Sequence, residues 1–194
     1  MRVAVACDHR GFEGKRRLLP VLKRLGHEVE DFGCDGTTSC DYPDYAAPAA
    51  KAIADGKFDV GVMLDGSGIG MSVVANKICG VRAALAHDEV TARVAREHNH
   101  CNVLCIGTDL LSEDQLRMIV EIFLATPYQA GRHDRRIAKI AQLELEVAKE
   151  HALKAKADPN GSPTLNHTPP TIVNGIAGIG TPSDLPAPPS TQSA

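Results

Sequence analysis

An aspartate and three glycines that follow an apolar run are of the residue types needed for proton transfer beside a bound anion. The stretch VGVMLDGSGIGMSVVANK, Val60 to Lys77, places Asp65 directly before Gly66, Ser67, Gly68 and Gly70. Glycine-rich turns that open a helix present backbone N–H groups that bind anions. A carboxylate can act as a general base, and a hydroxyl beside free amides can stabilise negative charge on a reacting oxygen. The stretch therefore predicts an anion-binding loop with a base at Asp65.

The spacing of these glycines separates two kinds of phosphate-binding loop. A dinucleotide fingerprint reads G-x-G-x-x-G after the first strand, with an acidic residue about 20 positions later. This chain has G-x-G-x-G after the third predicted strand. The spacing favours a sugar-phosphate loop over a nucleotide-dependent oxidoreductase, and a tight strand-to-helix turn without any ligand stays as the alternative.

Apolar runs alternate with helical periodicity along most of the chain. Five runs predict strands, at 3–7, 27–33, 59–64, 80–86 and 102–107; the run at 27–33 alternates between apolar and polar residues. Helices are predicted between them, including an alanine-rich helix at 45–56 with Pro48 in its first turn, and one with a capping box at Ser112 and Gln115. This order predicts an α/β fold, a doubly wound three-layer sandwich with a five-stranded parallel sheet, Rossmann-like in plan. Ligands of such sheets bind beyond the carboxyl ends of the strands.

The last part of the chain divides into a helix and a tail. A long helix is predicted after Pro127, with apolar residues at Ile137, Ile140 and Leu145 that we expect to pack on something, such as a partner subunit. Eight of the twelve prolines and no Lys or Arg lie in 158–194. Such a composition cannot bury enough apolar surface to fold. The prediction is one domain at 1–156, which includes this helix, and a disordered tail at 157–194.

Composition limits the partners that this chain can have. Of its 194 residues, 43% are hydrophobic and 23% charged, and the net charge is −3 without a basic cluster, which disfavours nucleic acid and anionic membranes. The beginning of the chain lacks a signal-peptide pattern, and no apolar stretch approaches the length of a membrane span, so a cytoplasmic protein is expected. The six cysteines form no C-x-x-C pair, and only the segment EHNHC resembles a metal motif, so we expect reduced thiols, no metal and no cofactor.

Five motifs lie in order over roughly Met1 to Leu145: CDHRGFEGK, DYPDYA, DGSGIGMSVVANKICGVRAALAHD, AREHNHCNVLCIG and GRHDRRI. Together they resemble the ribose-5-phosphate isomerase B family, which also includes the galactose-6-phosphate isomerase subunits. The resemblance implies a metal-free aldose–ketose isomerase acting on a sugar phosphate. It also implies a homodimer or dimer of dimers with active sites between the subunits.

The resemblance also assigns roles to individual residues. Asp8 and His98 would assist ring opening, and Ser67 stands beside the amides that stabilise an enediolate. The phosphate would be held by His9 together with Arg132, His133 and Arg136, and the sugar would be lined by Tyr42, Asn76 and Asn99 with the glycine loop, Gly66, Gly68 and Gly70. Each role has a simpler alternative: Asp8 can cap a helix, His98 can be a surface histidine near a helix end, and the arginines can form a solvated first turn.

Two departures from the family pattern leave a second function open. Members of this family carry the transferring base as a cysteine at the position of Asp65 or as a glutamate at the position of Met71, and this chain has neither. Many members also have an arginine where this chain has Asp109, and a carboxylate there would repel a phosphate. Asp65 is then the expected base, since burial can raise the pKa of a carboxylate toward neutrality. A non-catalytic sugar-phosphate-binding protein on the same fold is the alternative.

Overall fold

The computed structural model describes residues 1–157, and within them the five predicted strands form one parallel sheet. The strands are β1 (Arg2–Cys7), β2 (Glu28–Asp31), β3 (Val60–Asp65), β4 (Ala83–Leu85) and β5 (Val103–Gly107). Their order across the sheet is β2-β1-β3-β5-β4, and every neighbouring pair is parallel. The central strands β1, β3 and β5 are almost fully buried, in agreement with their continuous apolar sequence.

Helices cover both faces of the sheet and make a three-layer sandwich. The helices are α1 (Phe12–Arg24), α2 (Pro43–Ala54), α3 (Ile69–Ala75), α4 (Glu89–Asn99), α5 (Glu113–Ala125) and α6 (Asp134–Ala157), with a short 3-10 turn at Gly131–His133. One apolar cluster joins the sheet to α1, α4 and α5, and a second joins it to α2 and α3. The doubly wound α/β fold predicted from the sequence is confirmed.

The topology brings three loops together at the carboxyl edge of the sheet. The chain leaves β1 toward β2 and then returns to the other side of β1 to form β3, so the strand order reverses between β1 and β3. Crevices at such reversals are the usual ligand sites of open α/β sheets. Asp8 follows β1, Asp65 ends β3, and Thr108 and Asp109 follow β5, which is the next strand along.

The start of α2 and the position of Pro48 within it differ from expectation. The helix expected at 45–56 begins at Pro43, which fills its first turn, and Pro48 lies in its interior, so the placement of Pro48 in the first turn was wrong. A proline at the first helical position loses no hydrogen bond, which explains why the helix starts there. The capping box of Ser112 and Gln115 at the start of α5 is confirmed.

The end of the chain is described only in part. Residues Met1–Ala152 form one compact unit, and α6 runs on to Ala157. The predicted tail at 157–194 lies, from residue 158, outside the described residues. Among the helices of residues 1–157, none is both long and apolar enough to cross a membrane.

Candidate active site

The carboxylate of Asp65 is bound by the backbone amides of its own glycine loop. Its Oδ1 accepts hydrogen bonds from the N–H groups of Ser67, at 2.8 Å, and Gly68, and its Oδ2 accepts one from Met71 N–H at 3.1 Å. The residue is only 5% exposed. The amides of the glycine loop thus bind the side chain of Asp65 itself, and binding of a substrate anion by this loop stays a prediction.

Asp8 is arranged in a similar way at the end of the neighbouring strand. Its Oδ1 accepts hydrogen bonds from the N–H groups of Arg10 and Gly11, at 2.9 and 3.0 Å, and the residue is 6% exposed. Its Oδ2 faces His9, with 3.9 Å between that oxygen and Nδ1. Nδ1 of His9 also lies 3.3 Å from the N–H of Cys40, which must be the donor. Nδ1 as the acceptor leaves Nε2 for a contact with a substrate oxygen.

The glycines of the loop allow close approaches that a side chain would block. Gly68 has φ +80°, a left-handed conformation that glycine adopts without strain, and caps α3. A Cβ on Gly70 would lie 3.0 Å from the ring of Tyr42 and 3.1 Å from Asp65 Oδ2. The ring of Tyr42 and the carboxylate of Asp65 thus both lie next to the Cα of Gly70. We call the set at this edge the carboxyl-end group; it comprises Asp8, His9, Tyr42, Asp65, Gly66, Ser67, Gly68 and Gly70.

A second group of predicted site residues assembles where α4 ends. The rings of His98 and His133 stack with centroids 4.5 Å apart, and Arg132 Nε lies 3.3 Å from His133 Nε2. Arg132 and Arg136 are exposed, whereas His133 is buried. Burial, and after it the neighbouring His98, Arg132 and Arg136, lower the pKa of His133. This second set, His98, Asn99, Arg132, His133 and Arg136, is the amino-end group.

The amino-end group is held together by backbone contacts that the sequence does not reveal. Arg82 donates from Nε and Nη2 to the carbonyl of His100, at 3.0 and 2.8 Å, and from Nε to that of Asn99 at 3.2 Å. The N–H of Gln129 donates to the carbonyl of Glu97 at 3.1 Å, and this bond ties the segment before α6 to α4. Arg82 directly precedes β4 and is about 17 positions from its partners in the chain, so no local pattern in the sequence indicates these contacts.

The two groups occupy opposite edges of the sheet. The last turn of α4 leads into the start of β5, where the N–H of Gly61 donates to the carbonyl of Asn102, whereas Asp65 pairs with Gly107 at the other end of the same strands. Five strand residues span about 13 Å. Within residues 1–157, no hydrogen bond or ion pair joins the two groups.

Asn76 does not join the carboxyl-end group. It ends α3 at the end away from the glycine loop, and its side chain pairs with both backbone groups of Ala83, at 2.9 Å each. With Asn99 it lines a cavity of about 590 Å³ that Ile140 and Glu144 of α6 also border. Its role in lining the sugar stays a prediction.

The contacts of three residues near the glycine loop, Arg10, Thr108 and Asp109, were not predicted from the sequence. Thr108 Oγ1 lies 3.0 Å from the carbonyl oxygens of both Arg10 and Asp65, so one hydroxyl links the loops after β1, β3 and β5. Asp109, expected to repel a phosphate, forms an ion pair with Arg10, with 2.7 Å between Nε and Oδ2. Arg10 stands in a loop that directly follows a strand, which was the available signal.

The remaining sequence expectations concern the second base position, metals and thiols. Met71 is fully buried in the apolar cluster between the sheet and α2, so it offers no group to the site. Among residues 1–157, no three His, Cys, Asp or Glu side chains are grouped to hold a metal ion. All six cysteines, which lie in this part of the chain, are free thiols; four are buried, Cys40 is half-buried and Cys79 is exposed.

Comparisons with known proteins agree with the resemblance of the motifs. The family model Ribose/Galactose Isomerase matches residues 3–140. Ribose-5-phosphate isomerase B of Escherichia coli is 37% identical over 143 residues, which are 74% of this chain and 96% of that protein. The solved ribose-5-phosphate isomerase B of Clostridium thermocellum is 39% identical with a TM-score of 0.74, over 76% of this chain and 99% of its own. The enzyme of Mycoplasma genitalium, solved with bound ribulose-5-phosphate, is 36% identical with a TM-score of 0.72, over 75% of this chain and 97% of its own. The chain belongs to the ribose/galactose isomerase family.

Proposed function

We propose that this protein interconverts an aldose and a ketose that carry a phosphate, such as ribose 5-phosphate and ribulose 5-phosphate, through a cis-enediolate. The observation that carries the proposal is the position of Asp65, a buried carboxylate in a glycine loop at the point where the strand order reverses. Membership of the isomerase family supports the reaction, and the relative solved with ribulose-5-phosphate supports the substrate.

The proposed chemistry needs a base, donors for a developing oxyanion and a group that opens the sugar ring. Asp65 Oδ2 accepts one N–H, from Met71, and retains a lone pair beside Gly70 and Tyr42 with which to take the proton from C2 and return it to C1. Within residues 1–157 the N–H of Gly70 forms no hydrogen bond, which leaves it available, together with Ser67 Oγ, to the enediolate oxygen. Asp8 and His98 are the proposed pair for ring opening, and no metal takes part.

The proposed active site is built from two subunits. A carboxyl-end group alone lacks the arginines expected to grip a phosphate, and these lie at the opposite edge of the same sheet. A second copy can place its amino-end group against the first copy's glycine loop. Helix α6 supports an assembly, because its apolar residues Ile140, Leu143 and Leu145 are 39%, 58% and 63% exposed. The proposed unit is a homodimer, or a dimer of dimers.

A panel of aldoses and ketoses, each with and without a terminal phosphate, tests the reaction in D₂O by NMR. We expect turnover of a phosphorylated pentose or hexose, with solvent deuterium appearing at C2 of the aldose or C1 of the ketose. Activity should persist in EDTA. Loss of activity on chelation that one divalent metal restores would overturn the metal-free step.

One observation favours the alternative, a sugar-phosphate-binding protein without turnover. Both oxygens of Asp65 accept amide hydrogen bonds, so its carboxylate also serves to order the loop. Binding of phosphorylated sugars in the same panel, with neither product nor deuterium exchange, would establish this alternative.

A further inference from the structure

The ion pair of Arg10 and Asp109 lies directly over the glycine loop. A Cβ on Gly66 would be 2.6 Å from Asp109 Oδ2 and 2.8 Å from Arg10 Nε. Gly66 is the residue that follows Asp65, so both charges of the pair border the carboxyl-end group. Both side chains also keep solvent access, with 58% of Arg10 and 41% of Asp109 exposed.

The pair is fixed in position by the backbone on both sides. The N–H of Arg10 donates to Asp8 at 2.9 Å, and its carbonyl lies 3.0 Å from the hydroxyl of Thr108. The N–H of Asp109 donates to the carbonyl of Gly66 at 3.1 Å. The two residues therefore belong to the same hydrogen-bonded framework as Asp8 and Asp65.

Asp109 occupies only one edge of the Arg10 guanidinium. It accepts from Nε and Nη2, which form the side edge of the group. A guanidinium has five N–H donors, and the edge formed by Nη1 and the second hydrogen of Nη2 is left for another acceptor. An edge with two parallel N–H groups suits a phosphate oxygen pair, and a carboxylate that holds the arginine fixes its direction.

From this geometry we infer that Arg10 is a substrate-phosphate ligand of the carboxyl-end group, and that Asp109 orients it. The inference rests on the proposed function and adds a specificity residue to it. In the family pattern that this chain resembles, an arginine often stands at the position of Asp109. Asp109 does not repel the substrate there, because its charge is already balanced by Arg10. The phosphate would be held from two sides, by Arg10 and His9 of one subunit and by Arg132 and Arg136 of the second copy.

The test removes the pair without changing the net charge. The double variant Arg10→Met with Asp109→Leu should raise KM for the phosphorylated sugar, and the Kd for inorganic phosphate measured by calorimetry, by about 10-fold or more, as expected for lost hydrogen bonds to a charged group. Arg10→Lys, which keeps the charge but not the two-pronged edge, should lose most of the same affinity. Unchanged KM and Kd in the double variant would overturn the inference.

A matched pair on the same surface serves as the control. Arg17 and Glu113 form an ion pair of the same type, 2.8 Å apart, and line with Arg10 and Asp109 a cavity of about 220 Å³ between α1 and α5. Arg17→Met with Glu113→Gln should leave phosphate affinity unchanged. An equal loss there would place the anion in that cavity and contradict the inference.

Phosphate binding and turnover separate the two proposals. If phosphate affinity depends on Arg10 but no sugar is isomerised, the inference holds and the proposed function fails. If a phosphorylated sugar is isomerised and the double variant behaves as the wild type, the proposed function holds and the inference fails. The variants' solubility and melting temperature establish that they are folded.

Discussion

Among the individual residues, Asp65 is the proposed base and also orders the glycine loop, and both roles use the same carboxylate oxygens. Three amides of the loop bind its carboxylate, and two of them use Oδ1 alone, which leaves Oδ2 with a single donor. A fixed carboxylate costs little reorganisation when the substrate arrives, and this favours a base held in one orientation. The same bonds make the residue a structural part of the loop, so its replacement affects geometry as well as chemistry.

Asp65→Asn should reduce kcat by at least about 100-fold, because an amide cannot accept the proton that general-base catalysis transfers. The amide NH₂ would also face an N–H group of the loop, so some loss of stability is expected in addition. Asp65→Cys introduces the base that the family resemblance implies and should recover part of the activity, since a thiolate at a helix N-terminus has a lowered pKa. The measurement is kcat with deuterium exchange at C2. Near wild-type exchange in a folded Asp65→Asn protein would remove Asp65 as the base.

Among the secondary-structure elements, the end of α4 is held by arginines and lies next to histidines whose pKa is lowered. His100 adopts φ +47°, and its ring stacks on Tyr128 with centroids 4.3 Å apart. Burial, with Arg82 and Arg96 nearby, lowers the pKa of His100 from its ordinary value of 6.5, as burial with Arg132 and Arg136 does for His133. A histidine whose pKa is lower in the folded chain binds fewer protons there than in the unfolded chain. Its contribution to the free energy of unfolding is therefore complete above about pH 6.5 and falls as the pH drops below that value.

The melting temperature should therefore decrease between pH 7 and pH 5.5, and His100→Asn should flatten that decrease. Asparagine tolerates the left-handed conformation of this position and does not titrate, so the backbone is retained while one of the two groups is removed. Differential scanning calorimetry at several pH values gives the slope for both proteins. A slope that is the same in the variant as in the wild type would show that His100 does not contribute.

How much of the fold and of the candidate site could be predicted depends on whether the residues that determine a feature are close together in the sequence. The five strands, the glycine loop and the capping box of α5 follow from patterns within one element, and the structure agrees with them. The pairing of Arg10 with Asp109 joins residues 99 positions apart, so it could not be predicted from a local pattern. Without knowledge of this pair, the carboxylate of Asp109 was expected to repel a phosphate. The separation of His98 from Asp65 likewise depends on strand order, because α4 runs back to the amino edge before β5 begins.

Considering the whole molecule, the carboxyl-end group and the amino-end group of one chain face different edges of the sheet. The proposed symmetric dimer would bring each carboxyl-end group to the amino-end group of the other copy, and it would therefore form two equivalent sites. Each site then depends on residues of both subunits. Consider a hybrid dimer in which one chain is damaged in its carboxyl-end group and the other chain in its amino-end group. Both damaged groups can then fall in the same site, which leaves the other site intact.

Complementation between inactive variants tests this arrangement. Asp65→Asn and Arg136→Ala, each weakly active alone, are unfolded together, mixed in equal amounts and refolded. Half of the dimers are then hybrids with one intact site of two, so about a quarter of wild-type activity should return. Mixing Asp65→Asn with His9→Asn, both in the carboxyl-end group, should restore nothing, because every site then contains one damaged carboxyl-end group. Size-exclusion chromatography with light scattering establishes that the mixtures reassemble. Reassembled hybrids without activity in the Asp65→Asn and Arg136→Ala mixture would mean that each site lies within one chain.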